Sequence, residues 1–108
     1  MLIAKVTGSL VSTEKVEAMV GRKLLVVEPY RLDPKDRNRL VTTGRSMVAV
    51  ATVGAGEGEF VLITLGSSAR LTPETKSLPV DTVIIGIIDT VHVEHGCVYD
   101  KEGLEARG

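Results

Sequence analysis

The residues best able to do chemistry lie in four places. His92-Val93-Glu94-His95-Gly96-Cys97 combines imidazole, carboxylate and thiol, the donors that bind transition metals. On a strand, His92 and Glu94 face one way and His95 the other, so a turn at Gly96 would have to gather them. Metal sites need three or four convergent ligands, and the stretch reads as a strand end with exposed polar residues; no metal and no other cofactor is expected. Ser67 and Ser68 stand in Gly66-Ser67-Ser68-Ala69-Arg70. No histidine lies near them in sequence and the Gly-x-Ser-x-Gly elbow is missing, so capping a helical turn or touching a subunit suits them better than nucleophilic attack. Asp81 and Asp89 are eight residues apart on one apolar run, and structural hydrogen bonding is the better reading of both. Gly54-Ala55-Gly56-Glu57-Gly58 looks like a phosphate loop. Such loops open a helix and carry Gly-Lys-Ser/Thr, whereas here a strand follows and Glu57 and Glu59 repel phosphate. The glycines suit left-handed backbone angles or close packing of chain on chain.

The elements that must position these residues read as strands. Leu2 to Thr13 alternates, with Leu2, Ala4, Val6, Gly8 and Leu10 on one face and a bulge position at Gly8. Ser12 or Thr13 caps a short helical turn that ends at Gly21. Lys23 to Glu28 is a second strand, its run Leu24-Leu25-Val26-Val27 suggesting burial on both faces and Pro29 ending it. Arg31 to Arg45 reads as a loop, five basic residues against Asp33 and Asp36. Met47 to Val53 and Phe60 to Leu65 are further strands. A helical turn is expected near Ser67 and Ser68, with a loose polar stretch from Leu71 to Leu78. Val80 to Val93 as one straight strand would be about 46 Å long, too long for a domain this size unless it bends or bulges, most cheaply at Gly86. His95-Gly96 is a turn that lets Cys97-Val98-Tyr99 pair back. Five main strands, short connections and one bent long strand predict a small closed barrel, because an open sheet this short leaves edges bare.

Composition bounds what such a barrel can do. A chain of 108 residues with 44% hydrophobic content and net charge −1 makes one domain and is not intrinsically disordered. No apolar run approaches the length of a membrane span, no secretory signal is visible at the N-terminus, and the lone Cys97 points to a reducing compartment. With only Tyr30, Phe60 and Tyr99 as aromatic residues, the core is aliphatic and few rings remain for stacking bases. An OB-fold-like nucleic-acid or ligand-binding module is the alternative reading; such modules combine a basic groove with stacking rings, and only Arg31–Arg45 is basic here. No convincing active site emerges, and the surplus of apolar and glycine-rich surface favours an oligomer whose loops meet at an interface.

Several segments in order resemble the EutN/CcmL family. They are Ala4-Lys5-Val6-Thr7-Gly8, Gly21-Arg22-Lys23-Leu24-Leu25-Val26-Val27, Val48-Ala49-Val50, Val53 to Glu59, Gly66-Ser67-Ser68-Ala69-Arg70, and Pro79-Val80-Asp81 with Ile85-Gly86-Ile87-Ile88-Asp89. Each motif alone is weak; their order and spacing, over roughly residues 1–93, make the match specific. The resemblance implies an all-β fold, a small five-stranded OB-like β-barrel with one or two short helical turns. It implies a structural protein and not an enzyme. Family members form homopentamers that cap the fivefold vertices of bacterial microcompartments, in the bacterial cytoplasm. The implied partners are further copies of the chain, hexameric shell proteins and encapsulated enzymes, with neither nucleic acid nor membrane. Gly54, Ala55, Gly56, Glu57 and Gly58, with Ser67, Ser68 and Arg70, become candidates for a subunit seam or an axial pore.

The chain departs from the family pattern in two places. Ala51 stands where an Asp often follows the Val-Ala-Val strand, so a hydrogen bond or subunit contact made by that carboxylate would be missing. The Arg31–Arg45 stretch is longer and more basic than usual. The expected organisation is one barrel domain over residues 1–98 and a polar tail over 99–108.

Overall fold

Among the described residues, segments rich in β-branched and other aliphatic residues form eight strands. A computed structural model describes residues 1–11, 23–66, 82–94 and 96–102. The strands are β1 (Leu2–Leu10), β2 (Lys23–Leu32), β3 (Leu40–Thr42), β4 (Met47–Ala51), β5 (Phe60–Leu65), β6 (Thr82–Ile87), β7 (Thr90–Val93) and β8 (Gly96–Asp100). The main sheet runs β1-β5-β6-β4-β2-β3, and an added β1–β2 pairing closes its first five members into a barrel. All its pairings are antiparallel except β4 with β6. The expected all-β, five-stranded closed barrel is the observed architecture. Both expected helical turns fall outside the described residues.

The core is aliphatic, as three aromatic residues require. Ala4 and Val6 of β1, Leu25 and Val27 of β2, Ala49 of β4, Val61 and Ile63 of β5, and Ile84 of β6 point inward and touch one another. Burying one Ile or Val side chain in such a core is worth about 1.5–3 kcal/mol. The Gly8 bulge is present: Val6 pairs with Val27 and Gly8 with Val26, so Thr7 is the extra residue.

Three expectations are corrected. First, β2 does not stop at Pro29. The strand pairs with β4 as far as Val27 and with β3 from Tyr30, so Pro29 sits between two partners. The Pro29 carbonyl accepts the Thr43 N–H at 3.1 Å and the Thr43 hydroxyl at 2.8 Å. The ring nitrogen points the same way, into that gap, where no ladder donor is needed. Second, Leu24 to Val27 is not buried on both faces. Leu25 and Val27 are in the core, while Leu24 and Val26 are only half covered. Third, Arg31 to Arg45 is not simply a loop. Its start completes β2 and its centre is β3, and the two make a short ribbon reaching beyond the barrel.

The long run from Val80 divides in two. A bulge lies beside Gly86, where the register steps from Ile84↔Ile63 to Gly86↔Leu62. The strand then breaks after Ile87, and β7 turns away to pair with β8 as a separate two-stranded sheet. Glu94 takes a left-handed φ of 49° in the connecting turn. β8 continues to Asp100, two residues past Val98, which is fully buried.

Candidate functional site

The glycine loop between β4 and β5 is part of the barrel before it can be anything else. The Thr52 hydroxyl donates to the Ile84 carbonyl at 2.7 Å, anchoring the start of the loop to β6. Ala55 then enters the core and is 3% exposed. The loop returns through a tight set of bonds: Gly58 N–H to the Val6 carbonyl (2.8 Å), Val6 N–H to the Glu59 carbonyl (2.9 Å) and Glu59 N–H to the Gly56 carbonyl (3.1 Å). Of the three loop glycines only Gly58 has a left-handed φ, +90°. A Cβ on Gly54 would meet nothing within 4 Å, and one on Gly56 only Glu59 Oε1 at 3.8 Å. Conformation therefore demands glycine at Gly58, while Gly54, Gly56 and the exposed Glu57 remain free for an outside contact.

Glu59 ties this loop to the C-terminal hairpin. Its Oε1 accepts the Gly56 N–H at 2.7 Å, and its Oε2 lies 3.5 Å from Lys101 Nζ. The Gly56 N–H, and to a smaller degree Lys101, holds the carboxyl below its ordinary pKa; partial desolvation opposes them. The Lys101 N–H also donates to the Asp89 carbonyl at 2.7 Å. The hairpin is fastened further by the chain's three aromatic rings. Phe60 packs edge-on against Tyr30 with centroids 5.0 Å apart, and Tyr99 tilts against Phe60 at 4.6 Å. The Lys5 ammonium sits 5.9 Å from the Phe60 centroid. Burial, with the Glu28 carboxylate a smaller cause, pushes the Tyr30 hydroxyl above its usual pKa. Sequence reasoning did not foresee this cluster. The rings are thirty or more residues apart, and their one local signal is that Tyr30 and Phe60 occupy the outward phase of their strands.

The other candidates are placed as follows. His92 and Cys97 are cross-strand partners on β7 and β8, Glu94 pairs with Arg37 at 3.4 Å, and His95 lies outside the described residues. Among the described residues no three His, Cys, Asp or Glu side chains are gathered to hold a metal. Asp89 is exposed beside Lys101, its Oδ1 4.0 Å from Nζ. Asp81, Ser67, Ser68 and Arg70 lie outside the described residues. Ala51 pairs with Lys23 and Ile84 and packs at the edge of the core, so a carboxylate in its place would stand at an apolar margin.

The barrel's outer surface carries bare apolar residues. Val48 is 47% exposed and pairs with the half-covered Val26 across β2 and β4; Leu10, Val11 and Leu65 are also exposed. Leu10, Val48 and Leu65 lie on barrel strands, and Val11 directly follows β1.

The family model described as ethanolamine utilisation protein EutN/carboxysome matches residues 1–89. The chain belongs to the EutN/CcmL family. It is 45% identical to the bacterial microcompartment shell vertex protein GrpN of Rhodospirillum rubrum, over 84% of this chain and 96% of that protein. It is 44% identical to the carboxysome shell vertex protein CcmL of Synechococcus elongatus, over 94% of this chain and 96% of that one. Among solved structures, that of Gloeobacter violaceus CcmL superposes with a TM-score of 0.80 at 39% identity, covering 94% of this chain and 99% of the other. A structure of GrpN, described as a pentameric microcompartment shell protein, superposes with a TM-score of 0.68 at 43% identity, covering 86% of this chain and 98% of the other.

Proposed function

We propose that this EutN/CcmL-family chain is a shell vertex protein of a bacterial microcompartment, working as a homopentamer within the bacterial cytoplasm. The observation that carries the reading is near-full-length similarity to shell vertex proteins, one of them pentameric in its solved structure. A sheet of sixfold units is flat, and twelve fivefold units supply the curvature that closes it. A head-to-tail contact that closes after five copies makes such a unit. The protein's work on this reading is geometric and not catalytic: shape, seam and the edge it offers to hexameric shell proteins. Encapsulated enzymes are further partners.

Two features support an assembly role. Exposed Val48 beside half-covered Val26 gives the barrel wall an apolar strip for a neighbouring copy. Gly54, Gly56 and Glu57 stand on a loop braced from within by Ala55, a rigid platform for a seam or axis contact. Ser67, Ser68 and Arg70 are proposed for the same seam or for an axial pore on the family resemblance. The nucleic-acid reading is less well supported, since the three rings pack on one another instead of standing free to stack on bases.

Native mass spectrometry tests the proposal. A closed ring of five 11.5 kDa chains has a mass of about 58 kDa. A monomer that persists at micromolar concentration overturns it.

A further inference from the structure

The β2–β3 ribbon has two unlike faces. Antiparallel register places Tyr30 and Thr42, and Leu32 and Leu40, on one face. That face is tied down: Leu40 is 8% exposed, Tyr30 packs on Phe60, and the Thr42 hydroxyl bonds the Glu28 carboxylate. The β7–β8 hairpin reaches the ribbon's tip, where Glu94 pairs with Arg37 and a Cβ on Gly96 would come within 2.8 Å of Asn38. The opposite face carries Arg31 across from half-exposed Val41. The same register continues to Arg39 across from Asp33, whose N–H donates to the Arg39 carbonyl at 2.8 Å.

Neither acidic residue of the ribbon forms a salt bridge with Arg31 or Arg39 among the described residues. Asp33 Oδ1 accepts the Lys35 N–H at 2.9 Å, and Asp36 Oδ1 accepts the Asn38 N–H at 3.1 Å. Each carboxylate closes its own turn. Among the described residues Arg31, Lys35, Arg39 and Arg45 form no ion pair; Arg37 alone of the ribbon's basic residues does. Arg31 and Arg39 are exposed, on a hydrogen-bonded ribbon whose far side is held, in a chain of net charge −1. Arg31 and Arg39 are diagonal neighbours across the two strands of the ribbon, one from each, about 7–8 Å apart at the backbone, and their planar guanidinium groups match carboxylates at alternate positions of an extended segment.

We infer that this bare face of the β2–β3 ribbon, centred on Arg31 and Arg39, docks an acidic, extended segment of another protein. A single-stranded nucleic acid fits less well, because no aromatic residue stands on this face and all three rings are committed to the cluster at Phe60. Under the vertex reading the segment belongs to a shell or cargo component, and that assignment rests on that reading; the docking itself does not.

The test uses the full chain in its native assembly state and a fluorescein-labelled peptide of five Glu-Ser repeats, followed by fluorescence anisotropy. Binding is expected to weaken as salt is raised from about 50 to about 300 mM. It should weaken about fivefold or more in Arg31→Gln/Arg39→Gln, as loss of two exposed ion pairs predicts, and less than about twofold in Lys23→Gln, at an exposed basic residue elsewhere on β2. Arg31→Lys/Arg39→Lys should retain part of the affinity. Equal affinity of wild type and the double Gln variant overturns the inference. So does tighter binding of an oligothymidylate of similar charge. Native mass read on the same samples separates the questions: a double Gln variant that folds but loses its oligomer assigns the face to the subunit seam and refutes peptide docking. An intact pentamer that ignores the peptide refutes docking and leaves the vertex reading standing.

Discussion

Gly58 and Gly56 lie two residues apart, and the fold requires glycine only at the first of them. Gly58 has φ +90°, where an L side chain is strained, although a Cβ there would touch nothing within 4 Å. Gly56 lies outside the left-handed region, and its added Cβ would make one ordinary contact, with Glu59 Oε1 at 3.8 Å. Replacing either by Ala removes a similar amount of unfolded-chain entropy, about 0.4–1 kcal/mol in favour of folding. That contribution cancels in the difference between the two variants, leaving the left-handed penalty of roughly 1–2 kcal/mol. Gly58→Ala should therefore unfold below Gly56→Ala by about that amount, which for a chain of this size is a melting difference of roughly 4–15 °C. The strain is also expected to loosen the Gly58 N–H to Val6 bond that closes the loop. The assay is thermal and urea unfolding of wild type and both variants at one protomer concentration, because subunit association makes the midpoint concentration-dependent. Gly56→Val, read by native mass, adds the assembly question: it should leave the fold's stability nearly unchanged and reduce pentamer yield if the loop meets a neighbouring copy. Equal midpoints for Gly58→Ala and Gly56→Ala would refute the conformational reasoning. A full pentamer yield for Gly56→Val would refute the contact.

Three further outcomes are expected. Tyr99→Ala should lower stability by about 1–3 kcal/mol through loss of the Phe60 contact and partial burial, whereas Tyr99→Phe should cost little; equal behaviour of the two variants in urea unfolding would remove the aromatic strap. Because the folded-state pKa of Glu59 is depressed, its stabilising contribution is present above the ordinary carboxylate pKa and lost as pH falls through the lower, folded value. Glu59→Gln should flatten that part of the acid limb of a stability-versus-pH curve, and an unchanged limb would count against the Gly56 and Lys101 contacts. Arg70→Ala should destabilise a seam by about 1–3 kcal/mol at each repeated contact, with Arg70→Lys restoring it only in part; intact pentamers of unchanged thermal stability in both would exclude the seam role.

Local pattern was enough to read much of the barrel. Alternation in β1 placed Ala4 and Val6 inward and the bulge at Gly8, because a pleated strand with one buried face admits one phase only. The scarcity of rings made an aliphatic core unavoidable. The ordered motifs from Ala4 to Asp89 carried the family, since each alone is weak but their order and spacing are specific together. Other features depended on partners distant in the chain. Pro29 is compatible with a continuous strand only because β4 ends and β3 begins on the same edge of β2, a changeover no local signal announces. Leu24 to Val27 read as doubly buried because four apolar residues in a row do not reveal whether a second layer covers them. The glycine loop showed three similar glycines in sequence, and only the left-handed φ of +90°, in a turn closed by the Gly58 N–H bond to the Val6 carbonyl, singles out Gly58. Tyr30, Phe60 and Tyr99, harmless singly in sequence, meet because barrel closure and the β7–β8 hairpin bring three distant strands to one patch. Sequence determined the strand phase and the family; tertiary structure decided which faces are covered, because coverage is a property of neighbours that chain order does not list.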